Sequence, residues 1–189
     1  LDIEFRIKML MRLRRAIISH ERDLQRALED DLGRDPAEAY FCDIGSVILE
    51  INETIKGLRK WARPETHFSG IQCFPSVLTR VYKMPYGVTL IISPFNFPVI
   101  LSFGVLAASI AGGNTAVIKA SSKTKNCTKM MKKIIKETFP GKYVTVLGGG
   151  HDIADICLEQ KFDKIFYTGS PKIGKHVLEK ASKNLTPVA

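Results

Sequence analysis

Between Pro85 and Ala189 a single unit recurs: an apolar, β-branched run, a turn rich in Gly, Ser or Asn, and then a helical pattern. No other feature constrains the fold as much, because strands joined by helix-length crossovers pair in parallel and bury both faces of their sheet. The spacing predicts strands over 87–93, 116–119, 143–147, 164–168 and 185–188, with helices over 98–111, 124–139, 153–160 and 172–183 between them. The expected architecture is a doubly wound α/β sheet.

In such sheets ligands sit beyond the carboxyl ends of the strands. One of these ends is Asp163-Lys164-Ile165-Phe166-Tyr167-Thr168-Gly169-Ser170-Pro171-Lys172-Ile173-Gly174. Gly169 lets a ligand approach the main chain, Ser170 suits an N-cap, and Pro171 suits the first helical position, which leaves backbone N–H groups facing an anion. The same residues also serve a turn that does nothing but turn. Three further ends reach the same rim: Ser93-Pro94-Phe95-Asn96-Phe97-Pro98, Lys119-Ala120-Ser121-Ser122 and Gly148-Gly149-Gly150.

These residues and spacings resemble the aldehyde dehydrogenase superfamily, in particular its class 3-like, fatty-aldehyde branch. The resemblance runs through Lys83-Met84-Pro85-Tyr86-Gly87-Val88, Pro94-Phe95-Asn96-Phe97-Pro98, Ala111-Gly112-Gly113-Asn114, Ile118-Lys119, Gly148-Gly149, Phe162-Asp163, Tyr167-Thr168-Gly169-Ser170, Ile173-Gly174-Lys175 and Leu185-Thr186-Pro187-Val188, and covers essentially the whole chain. It implies a Rossmann-like sheet preceded by N-terminal helices and a β-arm. The implied divisions are 1–75 for the helical part, 76–86 for an arm toward the oligomerisation region, and 87–189 for a dinucleotide-binding core that is incomplete at its carboxyl end.

The resemblance gives Asn96 the catalytic role of donating a hydrogen bond to the oxygen of the tetrahedral intermediate. The bland alternative is a loop asparagine that caps the next helix. It also implies cofactor contacts from Ser93, Pro94, Phe95, Lys119, Ser122, Gly148, Gly169, Ser170, Pro171, Lys172, Ile173 and Gly174. Lys119 falls at the adenosine ribose, Gly148 beside the adenine-ribose end, and Gly169 to Gly174 at the pyrophosphate. On the residues alone, Lys119 reads equally as a solvated lysine at a strand end. Ser122 departs from the pattern, because many family members place a ribose-binding glutamate there. A small hydroxyl with Lys123 beside it tolerates a 2′-phosphate, so NADP is expected to be accepted at least as well as NAD.

The reaction needs a thiolate that attacks the aldehyde, hydride transfer to the nicotinamide, and a base that activates water. In the family both the glutamate base and the cysteine nucleophile follow the segment that ends here, so the 189-residue chain, without the catalytic domain, is expected to be inactive alone. The rival expectation is a non-catalytic nucleotide-binding or subunit-assembly module. None of Cys42, Cys73, Cys127 and Cys157 stands in the family's cysteine context. Only Cys127, at a helix start between Lys125 and Lys129, has a setting that would lower a thiol pKa, and Cys157 reads as a packed thiol. No CxxC spacing occurs, so no metal site is expected. Free thiols and no secretory signal suggest a cytoplasmic location. His151 follows three glycines near the expected cofactor mouth and is assigned no role.

A net charge of +9 raises the question of nucleic acid, but the basic residues are spread over helices without an RNA-binding aromatic pattern or zinc finger. No nucleic-acid partner is expected, and the charge suits an anionic dinucleotide. The uncharged stretch between Lys83 and Lys119 is long enough to suggest a membrane span, yet Pro94, Asn96 and Pro98 interrupt it, so it reads as a buried strand, helix and strand. Membrane association is not visible in this chain. Upstream, Ile3, Ile7, Leu10, Leu13, Ile17, Leu24 and Leu28 predict a helix closed by Gly33. Asp35-Pro36 opens a second helix toward Trp61, a loop covers 64–75, and 77–84 alternates as an exposed strand. The resemblance makes this strand part of an arm that joins another subunit's sheet, implying a homodimer when complete, with a small-molecule aldehyde as substrate.

Overall fold

The computed structural model describes residues 1–75 and 78–189. Helix α1 (Ile3–Ser19) starts where Asp2 accepts a hydrogen bond from the Phe5 amide at 2.6 Å, and it buries Ile7, Met9, Leu10, Leu13 and Ile17. The apolar spacing that predicts one continuous helix to Gly33 is broken at His20, after which α2 (Glu21–Leu32) follows. His20 contacts Asp23 on α2 and, at 2.7 Å, Glu137 near the end of a later helix, so the bend joins three helices. Asp35 and Pro36 open α3 (Pro36–Ala39) as expected, with the Asp35 carboxylate accepting from the Ala37 and Glu38 amides. A π-helical turn (Tyr40–Ile44) then leads into α4 (Gly45–Trp61).

The segment 64–75, expected to be a loop, contains strand β1 (Glu65–Phe68), which pairs antiparallel with β2 (Leu78–Val81). Both strands are exposed along their whole length; β2 lies within the exposed strand predicted over 77–84, while β1, with no buried face, gives no pattern that marks it. Ser76 and Val77, part of the predicted arm, lie outside the described residues.

The β/α repeat folds as its spacing predicts. Strand β3 (Val88–Ile92) leads to α5 (Ile100–Ala111), β4 (Thr115–Lys119) to α6 (Lys125–Thr138), β5 (Val144–Leu147) to α7 (His151–Leu158), and β6 (Lys164–Tyr167) to α8 (Pro171–Ser182). The sheet order is β5-β4-β3-β6, parallel throughout, with Ile91 opposite Ile118 on one side and Phe166 on the other. Period-2 alternation sorts the side chains: Ile91, Ile118 and Val146 enter a core with α1, α4, α5 and α6, while Leu90, Val117 and Leu147 meet α7 and α8 on the opposite face. The sheet is therefore doubly wound. The predicted strand at 185–188 is reduced to a bridge between Ile165 and Val188, because Leu185 stands exposed at φ 52° and only the last residues reach β6.

The chain leaves β3 toward one face and β6 toward the other, so the switch point of the sheet lies between them. The helical layer closes the first two crossovers. Asp31 of α2 accepts hydrogen bonds from the Asn126 and Cys127 amides at 3.2 and 2.8 Å, capping α6 from another helix. Asp31→Ala is expected to cost about 1–2 kcal/mol, as loss of an N-cap does, read as a lower denaturation midpoint at unchanged slope. Cys127 beside it is buried, and burial together with the Asp31 carboxylate pushes its thiol well above the usual range. This corrects the expectation that the lysines and helix start activate it. Cys157 is a packed thiol, also raised by burial.

Candidate functional site

The carboxyl ends of β3, β4 and β6 and the β5–α7 turn enclose a cleft of about 480 Å³. Its walls include Ser93, Pro94 and Phe95 after β3, Lys119, Ser121, Ser122 and Lys123 after β4, Gly149, Gly150 and His151 after β5, and Tyr167, Thr168, Gly169, Ser170, Lys172 and Ile173 after β6. Most of the residues expected from the sequence thus converge. Pro171 and Gly174 do not line the cleft but form the first turn of α8 behind it. Gly148 faces away, since a methyl there would lie 3.2 Å from Thr128 of α6, and Gly149 and Gly150 supply that wall.

Local chemistry explains each placement. Ser170 sits at φ −72°, ψ 149° with its Oγ accepting from the Ile173 amide, and Pro171 follows at the first helical position, so α8 begins at the cleft floor. Tyr167 donates its phenolic hydrogen to the Ser170 carbonyl at 3.0 Å, bracing the turn. Lys119 is 5 % exposed, and its ammonium donates to the carbonyls of Ala120 and Gly149 at 3.0 and 2.9 Å. Burial pulls its pKa below the ordinary lysine value. Lys119 is therefore a fixed cation tying β4 to the glycine turn, not a solvated lysine. Lys123 lies 4.4 Å over the Phe95 ring.

Charge in the cleft has one sign. Lys119, Lys123 and Lys172 contribute cations, and no carboxylate is among its described walls. The helix ends follow the same division. The N-terminus of α6 is filled by Asp31, and that of α5 by Asp43, whose Oδ1 accepts from the Val99 and Ile100 amides. The α7 N-terminus has no side-chain cap, and those of both α7 and α8 open on the cleft. The uncapped start of α7, and the α8 start capped only by its own Ser170 hydroxyl, face cations, an arrangement suited to an anion.

A second groove of about 310 Å³ continues between α7 and α8, sharing Ile92, His151, Ala154, Lys172 and Ile173 with the first. Its remaining walls are Leu158, Val177 and the pair His176 and Asp155, 2.7 Å apart. His176 holds the Asp155 carboxyl below the usual carboxylate range. Ser121, Gly149, Gly150, Tyr167 and Thr168 lie in the strand-end segments picked out from the sequence but without an expected cofactor contact, and Ile92 and Ala154 are not picked out there.

Asn96 is exposed on the loop after β3, outside the cleft's walls. It does not cap α5, because Asp43 occupies that end. Among the described residues no group of three or more His, Cys, Asp or Glu side chains could hold a metal, and no helix is long and apolar enough to cross a membrane.

A Rossmann-like parallel sheet with an anion-ready rim at its switch point defines a dinucleotide-binding class of fold. The aldehyde dehydrogenase family profile matches residues 1–189, and the chain belongs to that family. It is 41 % identical over 187 residues to 4,4'-diaponeurosporen-aldehyde dehydrogenase of Staphylococcus aureus, covering 99 % of this chain and 40 % of that one. It is 38 % identical to a fatty aldehyde dehydrogenase of Saccharomyces cerevisiae, covering 98 % of this chain and 35 % of that one. A structure of Staphylococcus aureus AldH in a substrate-bound state superposes with a TM-score of 0.96 at 41 % identity, over 99 % of this chain and 41 % of that one. The chain thus spans about two fifths of the length of these relatives.

Proposed function

We propose that the full-length protein oxidises an aldehyde to a carboxylic acid with NADP or NAD, and that this chain supplies the dinucleotide site and an oxyanion donor. One observation carries the reading: two helix N-termini and three lysines converge on one cleft at the switch point, with no carboxylate on its described walls. The residues fit the cofactor's chemistry. The Gly169 to Gly174 turn offers N–H groups to a pyrophosphate, Lys119 a cation to the ribose, and the apolar slot between α7 and α8 a place for a flat base. Ser121, Ser122 and Lys123 face the same cleft and suit a 2′-phosphate.

A bound nicotinamide would supply the acceptor for the hydride that leaves the substrate carbon. Asn96 donates its side-chain amide hydrogen to the oxygen that gains charge while a thiolate adds to the carbonyl carbon. The thiolate and the base come from the part of the protein beyond this chain. Similarity to enzymes named for diaponeurosporen-aldehyde and fatty aldehydes supports a long, apolar aldehyde as the substrate class. The exposed β1–β2 arm, with Phe68, Leu78 and Val81 uncovered, supports an edge that pairs with a second subunit in a homodimer. The cytoplasmic location expected from the free thiols belongs to the same proposal.

Aldehyde-dependent formation of reduced nicotinamide by the full-length protein tests the activity. Ser122→Glu tests the cofactor site: a carboxylate facing the 2′-phosphate is expected to raise the NADP Kd about tenfold or more, an effect of ~1.4 kcal/mol, with a smaller change for NAD. An unchanged NADP Kd would contradict the assignment of this wall.

A further inference from the structure

A buried ion pair lies directly beneath the Asn96 loop. Arg34 Nη1 donates to Asp43 Oδ2 at 2.7 Å, where Asp43 is fully buried and the Arg34 side chain is 11 % exposed. Both members reach the loop. Arg34 Nη2 donates to the Asn96 carbonyl, and its guanidinium lies 4.6 Å over the Phe97 ring. Asp43 Oδ1 accepts from the Val99 and Ile100 amides at 3.1 and 2.7 Å. A single pair thus ties down the main chain on both sides of Phe97 and Pro98, from Asn96 to the start of α5. Removing the pair would leave the buried Val99 amide and the part-buried Ile100 amide unpartnered and release the exposed Asn96 carbonyl.

The turn that presents Asp43 is built for this. Tyr40 to Ile44 wind as a π-helix closed by the Gly45 amide on the Tyr40 carbonyl, and the extra residue turns Asp43 fully inward while Cys42 beside it stays exposed. Gly45 fits because a methyl there would stand 3.0 Å from the Tyr40 carbonyl oxygen and 2.9 Å from its ring. Such bulges frequently occur where a side chain is re-aimed at a functional site. Burial pushes the Asp43 carboxyl up, while the two amides and Arg34 pull it down.

We infer that Arg34 and Asp43 are positioning residues for the reaction, acting through Asn96: the pair fixes the loop so that the Asn96 amide points at the developing oxyanion. The inference rests on the role proposed for Asn96. A donor misplaced by about 1 Å loses most of its value to the transition state, so the pair governs turnover more than binding.

The test is a double-mutant cycle in the full-length enzyme: Arg34→Met, Asn96→Ala and their combination, with kcat, aldehyde KM, NADP Kd and thermal midpoint measured for each, and Arg34→Lys alongside. Arg34→Met is expected to lower kcat at least about tenfold in the wild-type background, with NADP Kd within about twofold, and to lower it less than about threefold once Asn96 is Ala. Arg34→Lys keeps a cation opposite Asp43 but loses the fork that also reaches Asn96, so it falls between wild type and Met. If Arg34→Met does not fold, the same cycle is read with Arg34→Lys, which must still show a smaller loss on the Asn96→Ala background. Equal losses in both backgrounds, or a lowered thermal midpoint with unchanged kcat, would overturn the positioning role and leave the Asn96 reading standing. Wild-type kcat in Asn96→Ala would overturn that reading and this inference together.

Discussion

Asn96→Ala in the full-length enzyme is expected to lower kcat by ~10²–10³-fold while changing the NADP Kd by no more than about twofold. The asymmetry follows from where the residue lies. Asn96 is exposed on the loop after β3, whereas the cleft assigned to the dinucleotide is walled by Ser93, Pro94 and Phe95 just before it. Its carbonyl is held by Arg34, so truncating the side chain leaves the loop anchored and removes the amide alone. An interaction made only in the transition state lowers kcat and kcat/KM together, and steady-state kinetics with a saturating aldehyde separates this from lost binding. Asn96→Asp is expected to be at least as damaging, because a carboxylate opposes the charge that the amide stabilises.

Gly169→Val is expected to act on the other half of the site, raising the NADP Kd at least about tenfold, or ~1.4 kcal/mol, in a protein that still folds. Backbone strain is not the cause, since Gly169 does not adopt a left-handed conformation. Space is the cause. A Cβ there would overlap Tyr167 Oη and stand 2.7 Å from Cζ, so the ring would have to move and give up its hydrogen bond to the Ser170 carbonyl. The turn that presents the α8 N-terminus would lose its brace. Titration of the variant with NADP, followed by intrinsic fluorescence or heat, gives the number directly; an unchanged Kd would mean that no ligand approaches this turn closely.

Most of the sheet was legible because its determinants are local. β-branched runs, glycine turns and the Ser170-Pro171 start each act within a few residues, and the strands of 87–168 appear where the pattern places them. The parts that were not legible depend on partners distant in sequence. Asp31 caps a helix that begins about ninety-five residues later, Asp43 reaches Val99 and Ile100 over more than fifty, and Arg34 reaches Asn96 over sixty-two. Charged residues on helices and turns usually sit in solvent, so the sequence gives no sign of such contacts. The bend at His20 is of the same kind, since its ring contacts Glu137 across the fold. At the site, the strand ends were readable from glycine and serine, but which glycine faces inward was not. Gly148 packs toward Thr128 while Gly149 and Gly150 meet the cleft, a choice set by how β5 sits against α6.

The central claim is that a dinucleotide occupies the cleft between β3 and β6, with its phosphates at the α7 and α8 starts that face it. Hydrogen exchange of the full-length protein with and without saturating NADP tests it most directly. The account predicts slower exchange for the amides of 148–152 and 167–175, with no change at 124–128 and 99–101, where Asp31 and Asp43 already fill the helix ends. Protection confined to other segments, or none at saturation, would contradict it.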